Sequence, residues 1–240
     1  MRQSDIESAT WINDSIEASR SSVSVKGWRA VEAQHVVSTL RITNNDPDQQ
    51  ELLERILEES KPPLPPEAAG LHYLLATPFR YPPLPYGSRF RAWPDPGVLY
   101  AAFERRTACA EMGYWRWRFL RDSQDLREIP ASPQTVFQLG AKGSTIDLRE
   151  PPFAKRSNLW TDPANYDPTQ TLGRLARQAD VALVLYHSVR DAEKGTCIAI
   201  LRSAAIRPKR PLAQETWHLT VTAGGTIWQR ESQRFVFQFE

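Results

Sequence analysis

The distribution of proline constrains this chain more than any other feature. Its 240 residues hold 19 prolines against 11 glycines, the reverse of average usage. Much of the excess falls in KPPLPPEAAG and YPPLPYG, with WPDPG just beyond. Proline fixes φ and removes an N–H donor, so it breaks helix interiors and central strands. A regular element cannot run through this region, and stiff, fixed connections are expected instead. The segment after KPPLPPEAAG, LHYLLATPFRYPPLPYG, is apolar and aromatic. It must pack on something, so the prolines read as a rigid tie within a domain rather than a linker between two.

Periodicity organises the remainder. Residues 1–26 are Ser-rich and weakly periodic and are expected to form an N-terminal arm, with one domain over 27–240. A helix is predicted over 27–41, carrying Trp28, Val31, His35 and Leu40 on one side, with β-branched Val36 and Val37 working against it. A clearer helix spans 46–60, where Asp46 suits the N-cap, Pro47 suits N1, and Leu52, Leu53, Ile56 and Leu57 recur at helical spacing. Residues 97–103 read as a strand and 104–122 as a helix, with Ala108, Cys109, Met112 and Trp115 as its buried stripe. TVFQLGAKGSTIDL reads as two strands joined by a Lys-Gly turn. A helix over 169–178, strands VALVLYHS and CIAILR, a hairpin about Gly224 and Gly225, and a final strand RFVFQFE follow. The sum is a single α+β domain with mostly antiparallel sheets.

At this length a chain hides about 70% of its unfolded surface without staples. Thirty basic and 28 acidic residues leave a net charge of +2, which argues against a broad polyanion-binding surface. Cys109 and Cys197 lack CxxC or CxxH neighbours and sit in apolar runs, as buried free thiols do. The first residues carry acids and no apolar core, unlike a secretory signal. No run approaches the roughly 18 apolar residues of a membrane span. A soluble, cytoplasmic protein is expected.

Several chemistries are missing from the sequence: GxGxxG, Walker, HExxH and GxSxG motifs. His35, His72, His187 and His218 have no metal-like spacing and are expected in structural roles, with no metal site. Three features remain. From Ala68 to Pro94 there is no acid and no lysine, but Arg80, Arg89 and Arg91 are interleaved with aromatics. Guanidinium forks match phosphate oxygens and rings accept flat heterocycles, although ordinary surface packing gives the same pattern. Glu111 lies among small and apolar residues, on the buried side of its helix, where a carboxylate needs a partner or a function. A buried Arg–Glu pair would be the structural explanation. Ser188 closes an apolar strand, at a position where sites are often built and where a serine also caps turns.

Taken together, LYAAFERRTACAEMGYWRWRFL, preceded by TPFRYPPLPYGSRFR and followed by GRLARQADVALVLYHSVRD, resembles the RES domain family. The resemblance runs from about Trp28 to the C-terminus. It implies a toxin of a bacterial toxin–antitoxin pair that destroys NAD on a fold related to ADP-ribosyltransferases. It also implies a separate helix-turn-helix antitoxin that blocks the active site in a hetero-oligomer, and DNA contact only through that antitoxin. By position, Arg89, Tyr100, Glu111 and Ser188 match the motif residues. The stretch from Arg89 to Tyr100 is about one residue longer than the family pattern, which makes Arg91 a competitor for the arginine role. Arg80 and Arg91 are further expected contacts for NAD.

The implied chemistry is cleavage of the nicotinamide N-glycosidic bond. Arg89 would hold phosphate, Tyr100 would clamp the ribose, and Glu111 would stabilise positive charge at C1. Ser188 would hydrogen-bond substrate. It has no evident base, since adjacent strand residues such as His187 point to opposite faces. NAD is a substrate here rather than a cofactor; the acceptor is water or inorganic phosphate as co-substrate. Three other readings stand beside this one: transfer of ADP-ribose to a protein, a nucleic-acid-targeting toxin using the five basic, acid-free positions between Lys194 and Gln214, and a non-catalytic binding protein.

Overall fold

The computed structural model describes residues 3–33, 42–44 and 46–240. Helix α1 (Gln3–Ser19) leads into strand β1 (Ser21–Glu32). Helices α2 (Pro47–Glu59) and α3 (Tyr73–Arg80) flank the proline tie. Strand β2 (Leu99–Ala102), helix α4 (Arg105–Asp122) and the 19-residue strand β3 (Ile129–Asp147) come next. A short helix α5 (Ser157–Trp160) and helix α6 (Asp167–Gln178) precede β4 (Leu183–His187) and β5 (Thr196–Ile200). The chain closes with β6 (Ala213–Thr222), β7 (Gly225–Arg230) and β8 (Gln233–Phe237).

All eight strands join one sheet in the order β1-β2-β5-β4-β3-β6-β7-β8, with β1 also paired to β3. Only β3–β4 is parallel, in keeping with the mostly antiparallel α+β domain expected. Strand β3 is the spine. One edge carries β1 over 12 residue pairs, and the other carries β6 and then β4. The two sheet faces bury separate cores. One holds Ile12 and Ile16 of α1, Trp117 and Leu120 of α4, and Leu172 and Ala176 of α6. The other holds Leu74, Leu75 and Phe79 of α3 with Ala68 of the proline tie. The tie therefore closes the second face, because its prolines set a fixed path that presents Ala68 and Leu64 to the sheet.

Helix α2 begins as its sequence requires: Asp46 Oδ1 accepts from Asp48 N at 3.0 Å and Gln49 N at 3.1 Å, and Pro47 sits at N1. Three expectations are corrected. The helix over 27–41 is instead strand through Glu32, and the boundary at 26 falls inside β1. Residues Ser21 to Glu32 alternate, with Val23, Val25 and Val31 on one face and Trp28 and Ala30 on the other, and β3 pairs with the strand along its whole length. His35 and Leu40 lie outside the described residues. Lys142-Gly143 makes no turn, because β1 pairs straight across it. Gly143 serves close packing: a Cβ there would meet Ala182 Cβ at 2.8 Å. In α4 the buried stripe includes Trp117 and Leu120, while Trp115 is half-exposed. Among the described residues no helix is long and apolar enough to cross a membrane, and no group of three potential metal ligands occurs.

Candidate functional site

Alternation along the strands builds the floor of a cavity. Leu99 and Ala101 of β2 enter one core while Tyr100 and Ala102 turn to the other face, beside Trp28, Tyr186 and Cys197. Above this floor, α4 contributes Ala108, Glu111, Met112 and Trp115, and the Gly87–Arg89 turn and Tyr166 complete the wall. The cavity encloses about 420 Å³, within the range of small-molecule sites.

Among the described residues Glu111 is the only carboxylate lining it. It is half-buried, and no salt bridge reaches it among the described residues, so the expected Arg–Glu pair is not formed. Its Oε1 accepts from Ser188 Oγ at 2.5 Å and from the Cys197 thiol at 3.7 Å. The helix and the loop after β4 are locked into this register. Thr107, one turn before Glu111, donates to Asp191 Oδ2 at 2.8 Å, and Arg106 pairs with Asp191 Oδ1. Ser188 Oγ also accepts from Arg190 N at 3.2 Å and Asp191 N at 3.0 Å. Its single hydrogen goes to Glu111, which leaves none for a bound molecule. His187 points elsewhere, Nδ1 contacting the Lys194 carbonyl at 2.9 Å.

The three arginines of the acid-free stretch part company. Arg89 is buried and lines the cavity; it donates to the carbonyls of Trp160 and Asp162, both at 3.0 Å, and lies 4.7 Å over the Tyr166 ring. It has no ion-pair partner among the described residues. Arg91 is directed away, donating to the carbonyls of Asp95 and Tyr81. Arg80 is ion-paired to Glu58 at 2.7 Å. Neither Arg80 nor Arg91 lines the cavity, so the expectation that they share a site with Arg89 is corrected: each is held by local carbonyls or by α2.

The Tyr100 hydroxyl is 2.8 Å from Ser88 Oγ and accepts from Phe90 N at 3.0 Å, so it holds the Arg89 turn while its ring faces the cavity. Burial raises its pKa, and it stays a neutral phenol. Burial, then the Glu111 charge, push the Cys197 thiol well above the ordinary cysteine range, which keeps it protonated and poorly nucleophilic. Beneath β2, Arg29 donates to the Tyr100 carbonyl at 2.7 Å. Desolvation brings its pKa down to about 10.

Sequence reasoning missed Arg190 and Tyr166. Arg190 donates to the Pro163 carbonyl at 2.6 Å and to Tyr166 Oη at 3.2 Å, and its guanidinium lies 3.6 Å over Tyr114. The only available signal was its place two residues after Ser188. Arg29, Arg89 and Arg190 thus bring three arginines to a cavity with one carboxylate, and among the described residues none of the four is in a salt bridge. Such an arrangement suits a ligand with more negative than positive charge.

A family model, the RES domain, matches residues 64–222. Among solved structures, a chain of the crystal structure of the M. tuberculosis MbcT-MbcA toxin-antitoxin complex superposes with a TM-score of 0.51 at 12% identity. The match covers 88% of this chain and 92% of that one, a likeness of fold. A search of curated proteins finds no match.

Proposed function

The chain belongs to the RES domain family, and from that premise we propose that it is the toxin of a toxin–antitoxin pair and cleaves the nicotinamide N-glycosidic bond of NAD. The observation that carries this reading is Glu111: one cavity carboxylate, free of any salt bridge, fixed by Ser188 and facing a cavity edged by Arg89 and Arg190. NAD carries two phosphate charges beside a cationic nicotinamide ring. The guanidiniums match the pyrophosphate, and the Tyr100, Tyr166 and Tyr186 rings match the flat base and ribose.

In the reaction the bond from ribose C1′ to the nicotinamide nitrogen breaks, and nicotinamide leaves neutral with the bonding pair. Positive charge develops at C1′. A carboxylate held without reorganisation beside that carbon stabilises it, and the low-dielectric wall strengthens the effect. An oxygen of water or inorganic phosphate then bonds to C1′ and gives its proton to solvent. Ser188 acts on Glu111 rather than on substrate, because its hydrogen is already committed. Tyr100 likewise acts through the turn it holds, setting where Arg89 stands. Both are positioning residues.

The test is incubation of the purified protein with NAD, with and without inorganic phosphate, followed by identification of products. Nicotinamide with ADP-ribose indicates water as acceptor, and nicotinamide with ADP-ribose 1″-phosphate indicates phosphorolysis. Intact NAD in both buffers, with folded protein free of any partner, overturns the proposal.

A further inference from the structure

Behind the turn that carries Arg89 lies a second cavity of about 700 Å³. Its wall includes four arginines, Arg80, Arg91, Arg177 and Arg202, against two acids, Glu67 and Asp95. Arg80 and Arg202 are neutralised outside it, by Glu58 and Asp180. Arg91 and Arg177 are not: among the described residues neither has a carboxylate within ion-pair distance, and their donors go to carbonyls. Arg177 donates to the carbonyls of Phe90 at 3.1 Å and Gly173 at 3.0 Å, and its buried Nε has no partner. Arg91 donates to the Asp95 carbonyl at 3.0 Å and the Tyr81 carbonyl at 2.7 Å.

Both arginines line the same cavity. Burial lowers the Arg177 pKa; the Asp95 charge opposes it, and the charges of Arg91 and Arg202 add smaller downward contributions. Like charges held together in a partly dry wall are a cost that a bound anion removes. Much of the rest of the wall is proline, joined by the rings of Tyr81 and Trp93, and Trp93 is 64% exposed. Proline offers no N–H to compete for an anion, and an exposed indole offers a face to a planar group.

We propose that this cavity is a second ligand site, distinct from the Glu111 cavity, that binds the phosphate of a small molecule between Arg91 and Arg177. The source is free phosphate or a nucleotide, whose base would lie on Trp93. The site goes beyond NAD cleavage and does not depend on it. It is nonetheless connected to the Arg89 turn. Ser88 and Arg91 pair with each other, Arg177 holds the Phe90 carbonyl, and Tyr100 holds the Phe90 N–H. A ligand on Arg91 and Arg177 therefore braces the turn from the rear.

Calorimetric titration of the full chain with inorganic pyrophosphate and with ADP, at constant ionic strength, tests the site. Ala204 lines the cavity, is exposed and makes no side-chain hydrogen bond, so Ala204→Glu adds a carboxylate without removing a structural contact. Ala204→Glu and Arg91→Gln are each expected to weaken pyrophosphate binding at least tenfold, while Lys142→Gln, an exposed position lining neither cavity, leaves this binding in place. ADP binding tighter than pyrophosphate, with quenching of Trp93 fluorescence that Trp93→Leu abolishes, identifies a nucleotide as the source. Equal binding without quenching identifies free phosphate. Absence of binding at millimolar pyrophosphate, or binding indifferent to Ala204→Glu, overturns the proposal. NAD cleavage by the same variants is read separately, so loss of one activity does not stand for loss of the other.

Discussion

At the residue scale, the placing of half-buried Glu111 without a cation sets the chemistry. An unpaired carboxylate away from bulk water is costly, and the donors available to it, Ser188 and Cys197, are both neutral. That arrangement orients the charge without cancelling it. Glu111→Gln keeps the size and the Ser188 contact but loses the charge, so NAD turnover should fall at least roughly 100-fold, the scale of a lost transition-state contact, with the melting temperature unchanged or raised. Ser188→Ala removes a hydrogen bond to a charged group, worth about 1.5–3 kcal/mol. It should lower kcat by roughly tenfold to a hundredfold, with KM for NAD nearly constant; a change confined to KM would place Ser188 on the substrate instead. Glu111, Arg89 and Ser188 were legible because each was out of place locally: an acid on an apolar stripe, an arginine among aromatics, a serine ending a buried strand. Arg80 and Arg91 carried the same local signal and do not reach the cavity. Which way a guanidinium points is decided by how the backbone folds its carbonyls around it and by acids of other elements, such as Glu58 for Arg80, and spacing does not record these.

At the element scale, the site depends on how α4 sits against the loop after β4 and against β6. Gly195, just before β5, lies against α4, where a Cβ would meet Thr107 Oγ1 at 2.0 Å. Gly195→Ala should wedge the helix from the loop, break the Thr107–Asp191 contact and misplace Ser188. A destabilisation of about 1–3 kcal/mol is expected, read by denaturant unfolding, together with reduced NAD cleavage; wild-type values for both would refute the clamp. On the other flank, Glu215 of β6 binds Arg105 at the start of α4 at 2.8 Å and Arg230 of β7 at 3.2 Å. Burial raises its pKa, but the Trp217 and Arg105 hydrogen bonds outweigh that and hold it below the usual 4.5. A carboxyl lowered in the folded state stabilises above its unfolded pKa and loses that stabilisation as pH falls through the folded one. Glu215→Gln should therefore be less stable than the parent at neutral pH, with the difference shrinking below about pH 4.5. A pH-independent difference would mean the pairing contributes nothing through charge. Helices α2, α4 and α6 were legible from caps and periodicity. Strand β1 was not, because its register is set by β3, more than a hundred residues away, and the reading of β3 failed at Gly143, where glycine permits close packing instead of turning the chain.

At the scale of the molecule, a net charge of +2 hides two local concentrations of guanidinium, one at each side of the Ser88–Arg91 turn. Near-neutrality therefore counts against a broad polyanion surface, not against small anions. The larger question at this scale is how much of the chain the site needs. The family match begins at residue 64, and the sequence alone suggests a loose arm up to residue 26. The architecture points the other way. Ile12 and Ile16 are buried in the same core as Leu172 and Ala176, and Trp11 stacks on Trp160 at 6.5 Å. Trp160 in turn supplies a carbonyl to Arg89. Residues Ser21 to Lys26 pair with Gly140 to Thr145 of β3, so removing them strips one edge of the spine strand. Each buried isoleucine contributes about 1.5–3 kcal/mol, and an exposed edge opposite β4 adds unpaired backbone groups. The two isoleucines alone reach the lower end of the stability of an ordinary domain, about 5–15 kcal/mol. A chain lacking residues 1–26 should therefore lose cooperative unfolding and NAD cleavage together, seen by circular dichroism during denaturant titration. A truncated chain with the parent's midpoint would show the N-terminal segment to be dispensable. The milder variant Trp11→Ala separates packing from pairing: it leaves β1 intact, and by loosening Trp160 it should weaken NAD binding through Arg89 while the sheet survives.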